Sequence, residues 1–403
     1  MPEFISCPAI GLVNGLIVGE QKIIEKHALL IRDGLVTEIV PEEYIPSDVE
    51  LIDTEGGYIA PGFIDIHTDF CEQLLQPRPT SMMNFDLALD QVERILSGQG
   101  ITTVYHSLSL QNEKLQTVKK VRTLEVVEQL ARKIWERRRD DGLVRHRLHA
   151  RIELDNPACL NVVKDWIDKG IVHQISFMDH TPGQGQYRDL EIYKKSTMGY
   201  MDMTEEEYEL WMGKQDGKEK LSLKQIEELI SFAEEHHVAV ASHDDDSREK
   251  IELVQSMGVR ISEFPVTLDV ARYAVENRLQ TVLGAPNVLL GGSHSGNLSA
   301  VEAIINKAGN ILCSDYFPAG LLYSVFILHR KHKIPLAECF RLVSLNPAKA
   351  LMIDRDYGSL AAGKKADVLI IQAGNIPCIT DVFTNGRLVA HFHQCVVSGG
   401  MPQ

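Results

Sequence analysis

The chain has 403 residues, 44% of them hydrophobic, 6% aromatic and 24% charged, enough to bury one large core and carry an accessory unit. Lys and Arg total 41 against 56 Asp and Glu, a formal charge of −15, which argues against a nucleic-acid partner but allows an anionic small substrate beside bound cations. The longest uncharged apolar run, around 320–328, is too short to cross a bilayer, so no membrane partner is expected. The seven cysteines are scattered, without a C-x-x-C pair or a leader before them, so reduced thiols and a cytoplasmic location are expected.

The first sixty residues read as short strands and turns. Residues 28–31, the pair Asp33-Gly34 and residues 35–40 form a hairpin signal, because Asp-Gly accepts the left-handed backbone of a two-residue turn. The end of the chain returns to that style, with strand-like 366–371, then 382–383 and 388–389 around Asn385-Gly386. Residues 1–58 and 353–403 are therefore expected to build one small β-sandwich, and 59–352 the main domain.

That middle opens with Pro61-Gly62-Phe63-Ile64-Asp65-Ile66-His67-Thr68-Asp69. Alternation along a strand over 59–69 turns Asp65, His67 and Asp69 to one face, where an imidazole and a carboxylate two residues apart suit one cation. Further strands are expected at 101–107, 146–155, 171–180, 237–243, 261–265, 281–286 and 311–315. Helices are expected at 87–96, 115–138, 221–235, 251–257 and 301–307. Ser222 with Gln225, and Thr204 with Glu207, have capping-box spacing. Eight strands alternating with helices predict an α/β fold, a (β/α)8 TIM-like barrel, with a doubly wound open sheet as the alternative. The segment 183–217 is longer than an ordinary connection and reads as a lid or specificity loop.

Catalytic groups of such a barrel sit at the C-terminal ends of its strands. The third strand alternates over Arg147-Leu148-His149-Ala150-Arg151-Ile152-Glu153, with polar groups where a barrel interior is normally aliphatic. The fourth ends in Asp179-His180, the fifth in Ser242-His243 and the eighth in Ser314-Asp315. His67, His180 and His243 with Asp69, Glu153 and Asp315 make a candidate ligand set larger than one catalytic zinc takes. Two divalent ions bridged by Glu153 fit the count; zinc, manganese, iron and nickel all suit these donors. Such a pair can clamp both oxygens of a displacement at phosphorus, with Asp315 taking the proton of water.

The remaining loops favour an anion. The run Gly291-Gly292-Ser293-His294-Ser295-Gly296-Asn297, before a helix starting near 298, offers backbone amides, with Ser293 and Asn297 as contacts and His294 as proton donor or anion contact. Arg78, stiffened within Gln76-Pro77-Arg78-Pro79, has a fork that suits phosphate. Arg151, Gln184, Gln186 and Arg188 complete the candidate substrate contacts. An ordinary flexible loop with a helix cap is the competing reading of 291–297.

The opening segment, Pro61 to His67, and the ending Gly358-Ser359-Leu360 with Gly363-Lys364-Lys365-Ala366-Asp367 resemble the amidohydrolase superfamily. HTD at 67–69, QPRP at 76–79, SFMDHTPGQGQ at 176–186, ASHDD at 241–245, EFPVT at 263–267, GAPNVLLGGSHSGN at 284–297 and SLNPAKAL at 344–351 are similar to its diphosphatase family of phosphonate catabolism. The resemblance spans nearly the whole chain. It implies metal-dependent hydrolysis of a ribose 1-methylphosphonate 5-triphosphate to the 5-phosphate and diphosphate, in the carbon–phosphorus lyase pathway, with a small-molecule substrate as partner. A homodimer is compatible with the sequence but not fixed by it. The superfamily commonly has H-x-H on the first strand, where this chain and the narrower family have H-x-D. A carboxylated lysine often bridges its metals, a place Glu153 takes here on the third strand. Its two later histidines usually come from strands five and six, whereas His180 and His243 fall on four and five. Phe70 stands where the narrower family often has Asn. The alternatives are hydrolysis of a C–N bond and a barrel without catalysis, which should lack several of these ligands.

Overall fold

The computed structural model describes residues 9–112, 119–138, 142–179, 219–293 and 297–393, together with 194, 198, 204–206 and 208. Its central sheet has eight strands in chain order: Phe63–Thr68, Ile101–Leu110, Arg145–Glu153, Gln174–Met178, Ala239–His243, Ile261–Glu263, Gln280–Gly284 and Ile311–Cys313. Neighbours pair in parallel throughout. The last strand returns to the first. Thr68 bridges Asp315 in parallel, the Asp315 N–H donates to the His67 carbonyl at 3.1 Å, and the Asp69 N–H donates to the Asp315 carbonyl at 3.0 Å. First and last strands therefore meet at the rim where the strands end, and the sheet is a (β/α)8 barrel, not an open one.

Helices cover the barrel through apolar stripes at helical spacing. Leu124–Glu136 buries Val126, Val127, Leu130, Ala131 and Ile134, and Leu223–Glu235 buries Ile226, Leu229, Ile230 and Ala233. The second of these begins at Ser222, whose capping box with Gln225 forms as its spacing predicts. The Thr204–Glu207 spacing and most of 183–217 lie outside the described residues. No helix among the described residues is long and apolar enough to cross a membrane.

Two expectations change. The strand expected over 59–69 divides at Gly62: Tyr58–Pro61 pairs with Val368–Ala373 outside the barrel, and the barrel begins at Phe63. A Cβ on Gly62 would stand 2.3 Å from the Thr102 hydroxyl oxygen, so the crossing between sheets requires glycine. Of the helix expected over 115–138, the described part, 119–138, holds a short turn, Lys120–Arg122, followed by Leu124–Glu136.

Strands from both ends form two further sheets. One is ordered Leu35–Pro41, His27–Arg32, Ile10–Val13, Glu50–Asp53. The other is ordered Arg387–His391, Pro377–Thr384, Val368–Ala373, Tyr58–Pro61, Leu16–Val18, Ile23–Ile24. Leu12, Leu29 and Ile31 of the first sheet pack with Ile17, Ile59, Val368 and Phe383 of the second in a shared core, which makes a sandwich. Its hairpin turns use Asp33 and Gly34 (φ 51° and 79°) and Asn385 and Gly386 (φ 49° and 71°), as those pairs predict.

Arg145, at the start of the third barrel strand, is 1% exposed and fastens the barrel to this sandwich. Its guanidinium grips both oxygens of Asp367, donates to Asn385 Oδ1 at 2.7 Å and lies 4.6 Å above the Tyr357 ring. Arg145→Met strands a buried carboxylate and is expected to cost about 3–5 kcal/mol, read from denaturant midpoints at constant m. A loss below about 1 kcal/mol, the range of an exposed ion pair, would contradict the clasp.

Candidate metal centre

His67 of the first barrel strand, His243 at the end of the fifth and Glu263 at the end of the sixth are all buried. Each presents one donor atom, and the three atoms lie within 4.8 Å of one another. Alternation explains the convergence. Ala239 and Ala241 share a face with His243, and Ile261 shares one with Glu263, so each strand turns its last residue of that face inward. Glu263 is fully buried; its Oε1 lies 3.2 Å from His67 Nδ1 and accepts from Gln174 Nε2 at 3.0 Å. Its Oε2 lies 3.9 Å from His149 Nε2. The His67 ring meets His149 edge-on at 5.1 Å between centroids and His243 at 5.6 Å.

Burial holds the His67 imidazole well below its usual pKa and, despite Glu263, His149 at about 3, so both rings are neutral. His149 uses its two nitrogens on Ser107 and Ser176, at 3.1 and 2.8 Å. His67 Nδ1 and Glu263 Oε2 make no hydrogen bond. A fully buried carboxylate beside an unbonded imidazole nitrogen is costly in protein alone. Two imidazoles and a carboxylate are a donor set for a borderline divalent cation, and these residues fit one.

The surrounding groups orient the donors. His243 Nδ1 lies 2.7 Å from Asp244 Oδ2; an ionised carboxylate only accepts, so the ring proton sits on Nδ1 and the lone pair on Nε2. Asp245, fully buried, accepts from Ser242 at 2.6 Å and Ser262 at 2.5 Å and pairs with Lys250 at 3.2 Å. Lys250 also donates to the His243 carbonyl at 2.8 Å. His243-Asp244-Asp245 is thus a donor with two props. Asp244, Phe264 and Asp315 all adopt left-handed backbone, with φ of 52°, 54° and 57°. Their N–H groups donate to the carbonyls of Glu263, Val282 and His67. The same bend therefore ends strands five, six and eight at the rim. For Phe264 it costs about 1–3 kcal/mol. The ring so placed packs at 5.2 Å against His67 and 5.0 Å against His243.

Asp315 is half-buried, and desolvation of its carboxyl, reinforced by the Asp69 carboxylate and opposed by Arg151 and His243, pushes it up to about 7. Glu153 is buried at the end of strand three and accepts from Ser109 at 3.5 Å, apart from the three-donor group. Asp69 departs from the strand reading. The first barrel strand stops at Thr68, and Asp69 begins the helix Phe70–Leu75, so alternation does not carry to it; its carboxylate turns to Arg122 at 3.5 Å. Arg151 is half-buried, its recorded hydrogen bond runs from Nε to Met178 Sδ at 3.0 Å, and it has no ion pair among the described residues. Arg78 is exposed, its backbone bridging Ser81.

The helix expected near 298 begins two residues later, as Ala300–Ile305, with Ser299 accepting from its Glu302 amide; Ser293 and Asn297 before it are half-buried. His180, Gln184, Gln186, Arg188 and His294 lie outside the described residues. Glu263, His149, Asp244 and Arg122 were not singled out from the sequence. The signals for Glu263 are its place two residues after Ile261 and at the head of the EFPVT run at 263–267.

Comparison with known proteins agrees with this architecture. The amidohydrolase family model matches residues 219–389, and the NagA composite domain model matches 11–59. The alpha-D-ribose 1-methylphosphonate 5-triphosphate diphosphatase of Escherichia coli (strain K12) is 30% identical over 349 residues, 84% of this chain and 90% of that protein. N-acetylglucosamine-6-phosphate deacetylase from Pasteurella multocida superposes with a TM-score of 0.65 at 14% identity, covering 95% of this chain and all (100%) of that one. Dihydropyrimidinase from Brevibacillus agri NCHU1002 gives 0.63 at 14% identity, covering 96% of each. At such identity these two show a shared fold. The chain belongs to the amidohydrolase family of metal-dependent hydrolases, in the branch of the Escherichia coli diphosphatase.

Proposed function

We propose that the chain hydrolyses a phosphoanhydride, converting α-D-ribose 1-methylphosphonate 5-triphosphate to the 5-phosphate with release of diphosphate, as a step of phosphonate catabolism. The relative's activity supplies the substrate, and Arg151 is the observation in the site that supports it. A guanidinium without a carboxylate partner among the described residues, close enough to His67 and Asp315 to shift both, suits a polyanion. A neutral amide would leave that charge uncompensated.

His67, His243 and Glu263 would hold one divalent ion, and Asp69, Glu153 and Asp315, with His180 from outside the described residues, would offer donors for a second; zinc suits them, as do manganese, iron and nickel. Bound ions of this kind polarise a phosphoryl oxygen and acidify water. In the proposed reaction Arg151 binds and orients the phosphate chain. The oxygen of water bonds to a phosphorus atom flanking the bridge between the α and β groups. The bridging P–O bond breaks, its electrons stay on the phosphate that leaves, and Asp315 accepts the proton of water. Asp244 keeps His243 in one tautomer throughout.

Hydrolysis of a C–N bond, the activity that the names of the deacetylase and the dihydropyrimidinase state for those proteins, is the competing reading. Metal-reconstituted protein should release diphosphate from the ribose triphosphate and leave cyclic amides and N-acetyl sugar phosphates intact. Turnover of amides without any cleavage of triphosphates would overturn the proposal.

A further inference from the structure

Arg122 has no part in the reaction above. It ends the turn Lys120–Arg122 after the second barrel strand, and its side chain is 18% exposed. Nε donates to Glu72 Oε2 at 2.7 Å and an Nη donates to Asp69 Oδ2 at 3.5 Å. The mount is firm. Glu72 is 6% exposed, Val121 is buried, and the Val121 N–H donates to the Gln76 side chain at 2.9 Å. Asp69 opens the helix Phe70–Leu75, yet its side chain caps no helix amide. Among the described residues Arg122 is its one side-chain hydrogen-bond partner, and Asp69 Oδ1 makes no hydrogen bond. A carboxylate held by one oxygen, with the other unbonded and buried, is aimed by whatever holds it.

We propose that Arg122, seated on Glu72, is a positioning residue that holds the Asp69 carboxylate at the barrel rim and thereby sets the affinity for the second divalent ion; the proposal rests on the two-ion reading above. Its planar fork makes two directed contacts, one to each carboxylate, which an ammonium cannot reproduce. It also offsets the repulsion between Asp69 and Glu72, and its contact to Asp69, the longer of the two, leaves that carboxylate able to turn to an ion.

The test is zinc titration of the metal-free protein against a chelating indicator, with melting temperatures recorded in parallel. Wild type is expected to take up two equivalents. Arg122→Met should keep the first, at His67, His243 and Glu263, and bind the second about 10–100-fold more weakly, the usual cost of losing a group that orients a ligand. Arg122→Lys should fall between. Because Arg122→Met leaves Glu72 buried without its cation, the double variant Arg122→Met/Glu72→Gln is the control for folding. It should melt near wild type and still show the weakened second equivalent. An unchanged second equivalent in the folded double variant overturns the role of Arg122 while two-ion binding stands. Uptake of a single equivalent by wild type overturns the two-ion reading and this proposal with it.

Discussion

Asp315→Asn is expected to lower kcat for diphosphate release by about 10²–10⁴-fold, the range that a positioned proton acceptor contributes. The substitution is nearly isosteric, and the bonds that place residue 315 are made by its backbone. Its N–H donates to the His67 carbonyl, and its carbonyl accepts from the Asp69 N–H and the Thr68 hydroxyl. Asparagine also tolerates the left-handed φ of 57° found there. The barrel should therefore close as before and melt near the wild-type temperature. What is lost is an anionic oxygen facing Asp69, His243 and Arg151 across the rim. Steady-state kinetics at saturating metal, with a melt of the same preparation, checks this. More than a tenth of wild-type kcat in a folded, metal-loaded variant would remove Asp315 from the proton transfer.

Glu263→Gln is expected to cost more in metal affinity than the roughly 10–100-fold typical of outer groups, because it takes away an anionic donor itself. Its consequence for stability runs the other way. In metal-free protein Glu263 is a fully buried carboxylate held by the Gln174 amide, with no arginine or lysine paired to it among the described residues. Glutamine keeps an acceptor for Gln174 and discards the buried charge, so the metal-free variant should melt at or above the wild-type temperature. Added zinc should then raise the melting temperature of wild type strongly and of the variant little, since a ligand stabilises only the state that binds it. An equal zinc-induced shift in both proteins would show that Glu263 is not a donor.

The barrel was legible because its strands announce themselves twice, by apolar runs and by the polar residues that close them. Ser242-His243 and Ser314-Asp315 stand where the strands do end. Polar odd positions in the third strand pointed inward, where Arg151 reaches Met178 and Glu153 reaches Ser109. Turn chemistry was equally readable, since Asp33-Gly34 and Asn385-Gly386 occupy the positive φ angles that those pairs favour. Glu263 escaped because strand six is three residues long and ends on it. The apolar pattern extended that strand to Pro265 and made the glutamate look internal. Only the left-handed turn at Phe264, which no local propensity favours for an aromatic residue, reveals it as an end. Alternation misplaces Asp69 for the opposite reason. Period-two alternation holds within a strand, and a helix begins one residue too early for it to apply. Arg122 is distant in sequence from both of its carboxylates, and nothing local marks such a pairing.

Anomalous diffraction at the zinc edge, from crystals equilibrated with excess zinc, bears most directly on the gathering of rim donors from strands one, five and six. A zinc peak within bonding distance of His67, His243 and Glu263 together is the predicted result. Zinc bound only elsewhere on the protein, with these three side chains still bare at saturation, would contradict it.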